Sequence, residues 1–343
     1  MRRTIRPVDP SLFDYQNHVE RLSSTPTALD SLNEFIAWDD FRSHLRRVLP
    51  VQRADKGGRP SYDEVFLFKI LVLQRIHDLS EEATEMAIKD RLSWQRFLGI
   101  HVGSSFPDKN TIWSFKQTLI KHGAMEQCFV AFFDQIAAHG VRLESGKIVD
   151  ATIVEVPIQR NTRQENEQIK ADMIPPEWAK NQAKLRQKDT DARWTQKRGE
   201  SFYGYKNHIK IDQKTKIIEA CVATSASVHD SQALVDLLGD DDGRLYGDSA
   251  YHSATIKNLL HERGIQDWTV TRAWRNRPLT DIENQKNRTK STIRARVEHV
   301  FGTMDTALGG VNQRCIGFAR NAAMIIFSNL VYNMHRLRFI VTA

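Results

Sequence analysis

The stretch Lys290-Ser-Thr-Ile-Arg-Ala-Arg-Val-Glu-His-Val-Phe301 decides how this chain is read. At helical spacing Ile293, Val297, Val300 and Met304 fall on one apolar stripe that can pack on a core. Arg294 and Glu298 lie four positions apart on another face, so the helix presents a carboxylate beside a guanidinium. Alone, such a pair is an ordinary solvated helix face, contributing roughly a few tenths of a kcal/mol. It gains meaning from two acids far upstream, Asp150 and Asp248.

Working upstream, Lys147-Ile-Val-Asp-Ala-Thr-Ile-Val-Glu-Val-Pro157 reads as a β-branched strand that stops at proline. Asp150 sits in the middle of it, where Asp is disfavoured by propensity and costly to bury. Strands at 202–211 and 216–224, joined by the turn Asp212-Gln-Lys-Thr215, form an antiparallel hairpin. A helix over 230–238 leads to a short strand at 244–247, which Asp248 closes. A helix to about Arg263, a strand around 268–271 and the helix bearing Glu298 complete the series. The order β-β-β-α-β-α-β-α predicts a mixed sheet flanked by helices, the RNase H-like arrangement. Strand-end acids on one edge of such a sheet, joined by a helical Glu, suit hard divalent cations, Mg²⁺ or Mn²⁺, which take oxygen ligands. Two such ions about 3.5–4 Å apart can activate an attacking oxygen and stabilise a leaving one at phosphorus. Any one of these acids by itself reads more simply as a capped turn or a surface charge; the three together, in this strand order, read as a site.

Residues 271–297 carry eight Lys/Arg against two Asp/Glu. Arg272, Arg275, Lys290 and Arg296 in this stretch, with Trp274 among them, are expected to track a phosphate backbone. The whole chain has a formal net charge of +7 and a pI near 9.3, which favours a polyanionic partner, nucleic acid or a membrane surface. No apolar run approaches the length of a membrane span, and Met1-Arg-Arg-Thr-Ile-Arg6 is not followed by an apolar signal core, so a cytoplasmic location and no membrane partner are expected. Cys128, Cys221 and Cys315 are scattered with no CxxC, which points to buried small hydrophobes rather than a disulfide framework or a zinc site.

The 343 residues suffice for two domains. Residues 1–140 are expected to be helical and DNA-binding: a polar tail, a helical stretch at 37–48 closed by Pro50, a flexible basic linker at 55–60, then helices from Ser61, Ser80, Ser93, Asp108 and Met125, the last stopping at Gly140. Short helices with tight polar turns suit a helix-turn-helix-like reader or, equally, a packing bundle. Residues 141–343 form the second domain. Within it, 159–200 hold ten Lys/Arg, seven Asp/Glu and few aliphatics, and predict a linker or a loop ordered only on binding. A last apolar helix at 322–339 predicts core or oligomer packing.

Val149-Asp-Ala-Thr-Ile-Val-Glu155, Tyr203-Gly-Tyr-Lys-Asn-His208, Ser227-Val-His-Asp230, Tyr246-Gly-Asp-Ser-Ala-Tyr251 and Ile293-Arg-Ala-Arg-Val-Glu-His-Val-Phe301 occur in that order. In this combination the sequence resembles a DDE transposase of bacterial insertion sequences, of the insertion-sequence-five family, over roughly residues 60–315. The resemblance implies that Asp150, Asp248 and Glu298 are the metal-binding catalytic triad and that Arg294 accompanies the glutamate. It places Lys206, His208 and His229 on the active-site face, in contact with DNA phosphates or behind the acids. The wider superfamily often carries a tyrosine three residues before that arginine and a DNA-holding lysine seven after the glutamate; this chain has Ser291 and Asp305 there.

The implied activity is metal-dependent DNA cleavage at transposon ends followed by strand transfer into target DNA, in a bacterial, nucleoid-associated setting. The implied partners are the terminal inverted repeats, the target duplex and further copies of the chain in a homodimer or larger assembly. A nuclease that cuts without joining and a catalytically silent DNA-binding repressor are the alternatives.

Overall fold

The computed structural model describes residues 13–49, 60–101, 104–144, 146–240 and 242–342. Pro50 and residues 55–59 of the expected linker lie outside them.

Nine helical segments precede the sheet among the described residues: Asp14–Ser23, Ala28–Phe35, the 3-10 turn Trp38–Phe41, Arg42–Val48, Glu64–Ile76, Glu81–Asp90, Leu92–Leu98, Lys109–Lys121 and Ala124–Ala138. The first two correct the expectation of a polar tail. Thr27 caps the second of them in a reciprocal capping box with Asp30, and Leu29 and Leu32 are buried. Eight residues with two buried leucines are too short a pattern for periodicity to reveal. Elsewhere the caps are nearly as expected. Asp63, not Ser61, starts the helix at Glu64 by accepting from Phe66 N at 2.9 Å. Ser80 and Asp108 cap their helices through Ala83 N and Thr111 N. Gly99 ends its helix in the left-handed conformation, φ 69°.

Six strands make one mixed sheet: β1 (Gly146–Glu155), β2 (Arg193–Lys197), β3 (Glu200–Asp212), β4 (Ile218–Ser225), β5 (Arg244–Tyr246) and β6 (Gln266–Asp267). β3 pairs antiparallel with β1, with Asp150 opposite Ile209. It also pairs antiparallel with β4 along 205–211 and with β2 along 200–204. β5 runs parallel to β1, with Ile148 opposite Tyr246, and β6 runs parallel to β5. This is the expected mixed sheet with flanking helices behind a helical N-terminal region. It departs at two points: β6 begins at Gln266 rather than near Trp268, and β2 is an added strand.

β2 belongs to the segment 159–200, which is not a linker. It folds into helices Arg163–Lys170, Pro176–Lys180 and Gln182–Leu185 before joining the sheet. One aromatic and one acid organise it. Trp178 is fully buried and donates from Nε1 to Glu165 Oε1 at 2.6 Å. Asp189, also buried, accepts from the Tyr205 hydroxyl at 2.7 Å and from Gly317 N at 2.9 Å. Charge-rich composition hides such an arrangement because the order comes from single buried partners, not from an apolar period.

The chain closes with Phe318–Val341, a helix of 24 residues. Phe327, Leu330, Met334 and Leu337 are fully buried within one apolar cluster that includes Phe41, Phe68 and Phe132 from the N-terminal helices and Ile148, Ile209 and Ile218 from the sheet. Its polar side chains stitch it to the strands. Asn333 bonds both Ile218 N and Ile218 O, and Asn329 exchanges two amide bonds with Asn207. Core packing is therefore the role this helix fills.

Candidate active site

β1 is covered on both faces: Ile148 joins the main cluster, and Val149 packs with Leu234, Leu245 and Tyr251. Asp150 follows, its side chain 15% exposed. One oxygen accepts from the backbone N of Ala151 at 2.8 Å; the other accepts from Arg294 Nη1 at 2.7 Å. Because β5 is parallel to β1 with Ile148 beside Tyr246, continuing the register two residues brings Asp248 beside Asp150. Asp248 caps the 3-10 turn Ser249–Tyr251 by accepting from Ala250 N at 2.8 Å.

Glu298 does not sit mid-helix as the spacing implied. The helix Asp281–Arg294 ends at Ala295, whose N–H still donates to Ser291 O at 2.9 Å, and Arg296–Ala307 begins with a tighter turn in which Glu298 N donates to Ala295 O at 3.2 Å. Neither Pro nor Gly stands at the break. The two segments differ in surroundings: no residue of the first is buried, whereas Val297, Val300, Phe301 and Met304 of the second are. Ile293 is only half-buried against the same core. Glu298 thus lies in the first turn of the second helix, where the helix dipole favours a carboxylate. Arg294 spans the break, with Nη2 at 3.6 Å from Glu298 Oε1 while Nη1 holds Asp150.

One guanidinium therefore links two of the three acids. Burial pushes the Asp150 carboxyl up to about 6; Arg294 and the Ala151 N–H pull against this, and Asp248 and Glu298 add to it. Among the described residues, no three Asp, Glu, His or Cys side chains are gathered into a ready ligand cluster. The chemistry of the set nevertheless fits a hard divalent cation. All donors are carboxylate oxygens, and Asp150 feels the negative charge of the other two, a repulsion that a cation relieves.

The remaining sequence-derived residues separate into three groups. His208 is fully buried, with Nε2 at 2.8 Å from Thr224 Oγ1, and burial lowers its pKa to about 4. A neutral, inaccessible imidazole cannot touch a phosphate, which corrects the expectation of a DNA contact there. Lys206 is half-buried, donating to Asp230 Oδ1 and Val228 O at 2.8 Å each. His229 is exposed and bonds Ser231 through Nδ1 at 2.7 Å. Lys290 donates to Thr269 O at 2.7 Å and Arg296 to Gln213 O at 2.9 Å, so each is anchored to backbone. Arg272 and Arg275 are exposed, and the Arg272 guanidinium lies 5.6 Å from the ring centre of exposed Trp274. Asp305 is exposed, two turns beyond Glu298.

Spacing gives no role to Asp230 or Tyr251, although both fall in the quoted motifs. The structure sets the 3-10 turns that carry them, Asp230–Gln232 and Ser249–Tyr251, against each other beside Asp150 and Asp248. A tyrosine three residues after a strand-end acid, Asp248-Ser-Ala-Tyr251, was the available signal.

Comparison with known proteins adds family to geometry. Residues 142–334 match the family model described as Transposase DDE domain, and residues 16–118 match that described as Transposase domain (DUF772). A cryo-EM structure of a piggyBac transposase synaptic complex with hairpin DNA is similar at a TM-score of 0.42 and 13% identity, over 90% of this chain and 75% of that one; a likeness this slight carries no argument.

Proposed function

The chain belongs to the Transposase DDE domain family and is a DNA transposase; we propose that Asp150, Asp248 and Glu298 are its catalytic acids and that it is of the insertion-sequence-five type. What supports the assignment is that Arg294 bridges Asp150 and Glu298, while the parallel register of β1 and β5 carries Asp248 toward Asp150.

Transposase DDE domains use divalent metal ions, and the three acids here would hold two of them, Mg²⁺ or Mn²⁺. Bound, the ions supply a lowered pKa for the attacking water and neutralise charge on the leaving oxygen. Arg294 keeps Asp150 and Glu298 facing one another and offsets their repulsion. Arg272, Arg275 and His229, all exposed, contact phosphates, with Lys206, Lys290 and Arg296 supporting them from half-buried positions. Trp274 offers a face on which an unpaired base can stack. Water attacks phosphorus at the transposon end; its O–P bond forms as the P–O3′ bond breaks, and the leaving oxygen takes a proton. The freed 3′-hydroxyl then attacks a target phosphodiester, whose P–O3′ bond breaks as the new P–O bond forms and whose leaving 3′-oxygen takes the proton, so this step exchanges one phosphodiester for another and no high-energy cofactor is required. Residues 1–140 would recognise the terminal inverted repeats and 141–343 would cut, in a homodimer or larger assembly that holds both ends.

The test is incubation of the protein with a labelled duplex carrying its element's ends, a target plasmid and Mg²⁺ or Mn²⁺. Free 3′-ends followed by joined products, both lost on chelation, are expected. Cutting without joining would support the nuclease alternative, and binding without cutting the repressor.

A further inference from the structure

Tyr251 ends the short turn that Asp248 begins, and its backbone N–H donates to Asp248 O at 3.2 Å. Its ring lies against the two strands that carry the acids. A Cβ on Gly247 would meet Tyr251 Cδ2 at 3.0 Å and Val149 Cγ2 at 3.2 Å, so the ring packs closely over this edge. The side chain is 1% exposed, yet its hydroxyl has no hydrogen-bond partner among the described residues. An orphaned buried hydroxyl costs about 1–3 kcal/mol, and a stable fold normally supplies a partner.

The surroundings say what that partner is. The carboxylates of Asp230, Asp150 and Asp248 surround it, and a phenol, protonated at neutral pH, is a hydrogen-bond donor. The nearby acids differ in their state. Asp230 is already engaged by Lys206 at 2.8 Å. Asp150 gives one oxygen to a backbone N–H and the other to Arg294. Asp248 gives one oxygen to Ala250 N. These bonds fix the acids in an arrangement that does not converge three ligands. Carboxylates drawn toward a cation must turn, and the buried phenol is a donor left without a partner, among the described residues, beside Asp150 and Asp248.

We propose that Tyr251 is a positioning residue of this active site: its orphaned hydroxyl donates to a catalytic carboxylate turned toward a divalent cation, and holds it in the ligating orientation. This rests on the assignment of Asp150, Asp248 and Glu298 as the cation's ligands. It asks nothing of Tyr251 in the chemical step. Hydrogen bonds from such outer partners typically set metal affinity by about 10–100-fold.

The experiment is titration of the full chain with Mn²⁺ alone, followed by calorimetry, for the native protein, Tyr251→Phe and Asp248→Asn, with the metal-free melting temperature of each. Tyr251→Phe keeps the ring and removes only the unpartnered hydroxyl. Its metal-free melting temperature should equal or exceed the native value, while its Mn²⁺ dissociation constant should rise about tenfold or more. Unchanged Mn²⁺ affinity in Tyr251→Phe, or a lowered metal-free melting temperature, overturns the role of Tyr251 and leaves the acids' assignment standing. Native-like Mn²⁺ binding by Asp248→Asn, or none by the native protein, overturns the site itself and the role of Tyr251 with it.

Discussion

Two helices of this molecule are built on opposite terms. Phe318–Val341 is buried along most of its length, packed between the N-terminal helices and the sheet. Asp281–Arg294 has no fully buried residue; it is attached through the Asn287 amide, bonded to Thr271 N and O, Lys290, bonded to Thr269 O, and, at its end, half-buried Ile293 and the Arg294–Asp150 pair. The first helix holds the fold together through apolar area. The second is set by a few polar bonds at the sheet edge, which leaves Lys286 and Arg288 exposed to meet a polyanion and ends it at Arg294, where the acids lie. Stability and chemistry are thus assigned to different helices, and substitutions should separate them.

The largest effect should come from Leu330→Ala, a fully buried position in the long helix. It should lower unfolding free energy in urea by about 2–5 kcal/mol, whereas no alanine substitution in 281–294 should approach that. Next comes pH. His335 on the long helix is held near 4 by burial and by Arg338 and Arg336, and His208 near 4 by burial, against an ordinary value near 6.5. The unfolded chain therefore takes up protons first. Stability is complete above about pH 6.5 and falls as pH drops toward 4, by on the order of 2–3 kcal/mol for each histidine. Replacing His335 with Gln should flatten that slope in acid melts; an unchanged slope would contradict it.

Asn287→Ala should be smaller, about 1 kcal/mol or less in global stability, but should raise amide exchange across 281–294 selectively. If exchange rises evenly over the chain, the short helix is not independently attached. Smallest in stability is the pair Arg272→Ala with Arg275→Ala, expected within about 0.5 kcal/mol of native. DNA affinity should nevertheless fall, and the slope of log affinity against log salt should shrink by about 2. An unaltered salt slope would remove these arginines from the DNA path.

The contrast also explains what the sequence disclosed. Apolar periodicity placed the long helix within a few residues, because burial and period are the same signal there. Strands β1, β3, β4 and β5 were legible in the sequence, Asp150 stood out as an acid in mid-strand, where propensity disfavours it, and Asp248 as the acid closing a short strand. The break at Ala295 was not legible. It arises where a polar helix gives way to a packed one, and no residue at the break marks it. Likewise 159–200 looked like linker because its order depends on Trp178 and Asp189, two buried partners in a charged background. For His208 the resemblance left open a phosphate contact or a place behind the acids, because a histidine on a strand shows no sign of which face it takes; pairing of β3 with both β1 and β4 buries it.

The most direct measurement of the central claim is cleavage of a labelled transposon-end duplex by the native protein and by Glu298→Gln, with binding of the same duplex measured in parallel. Glu298 is exposed, so the substitution should leave folding and DNA affinity at native values. The account predicts that cleavage is lost while binding remains. Cleavage by Glu298→Gln at the native rate would contradict it and remove this helix from the active site.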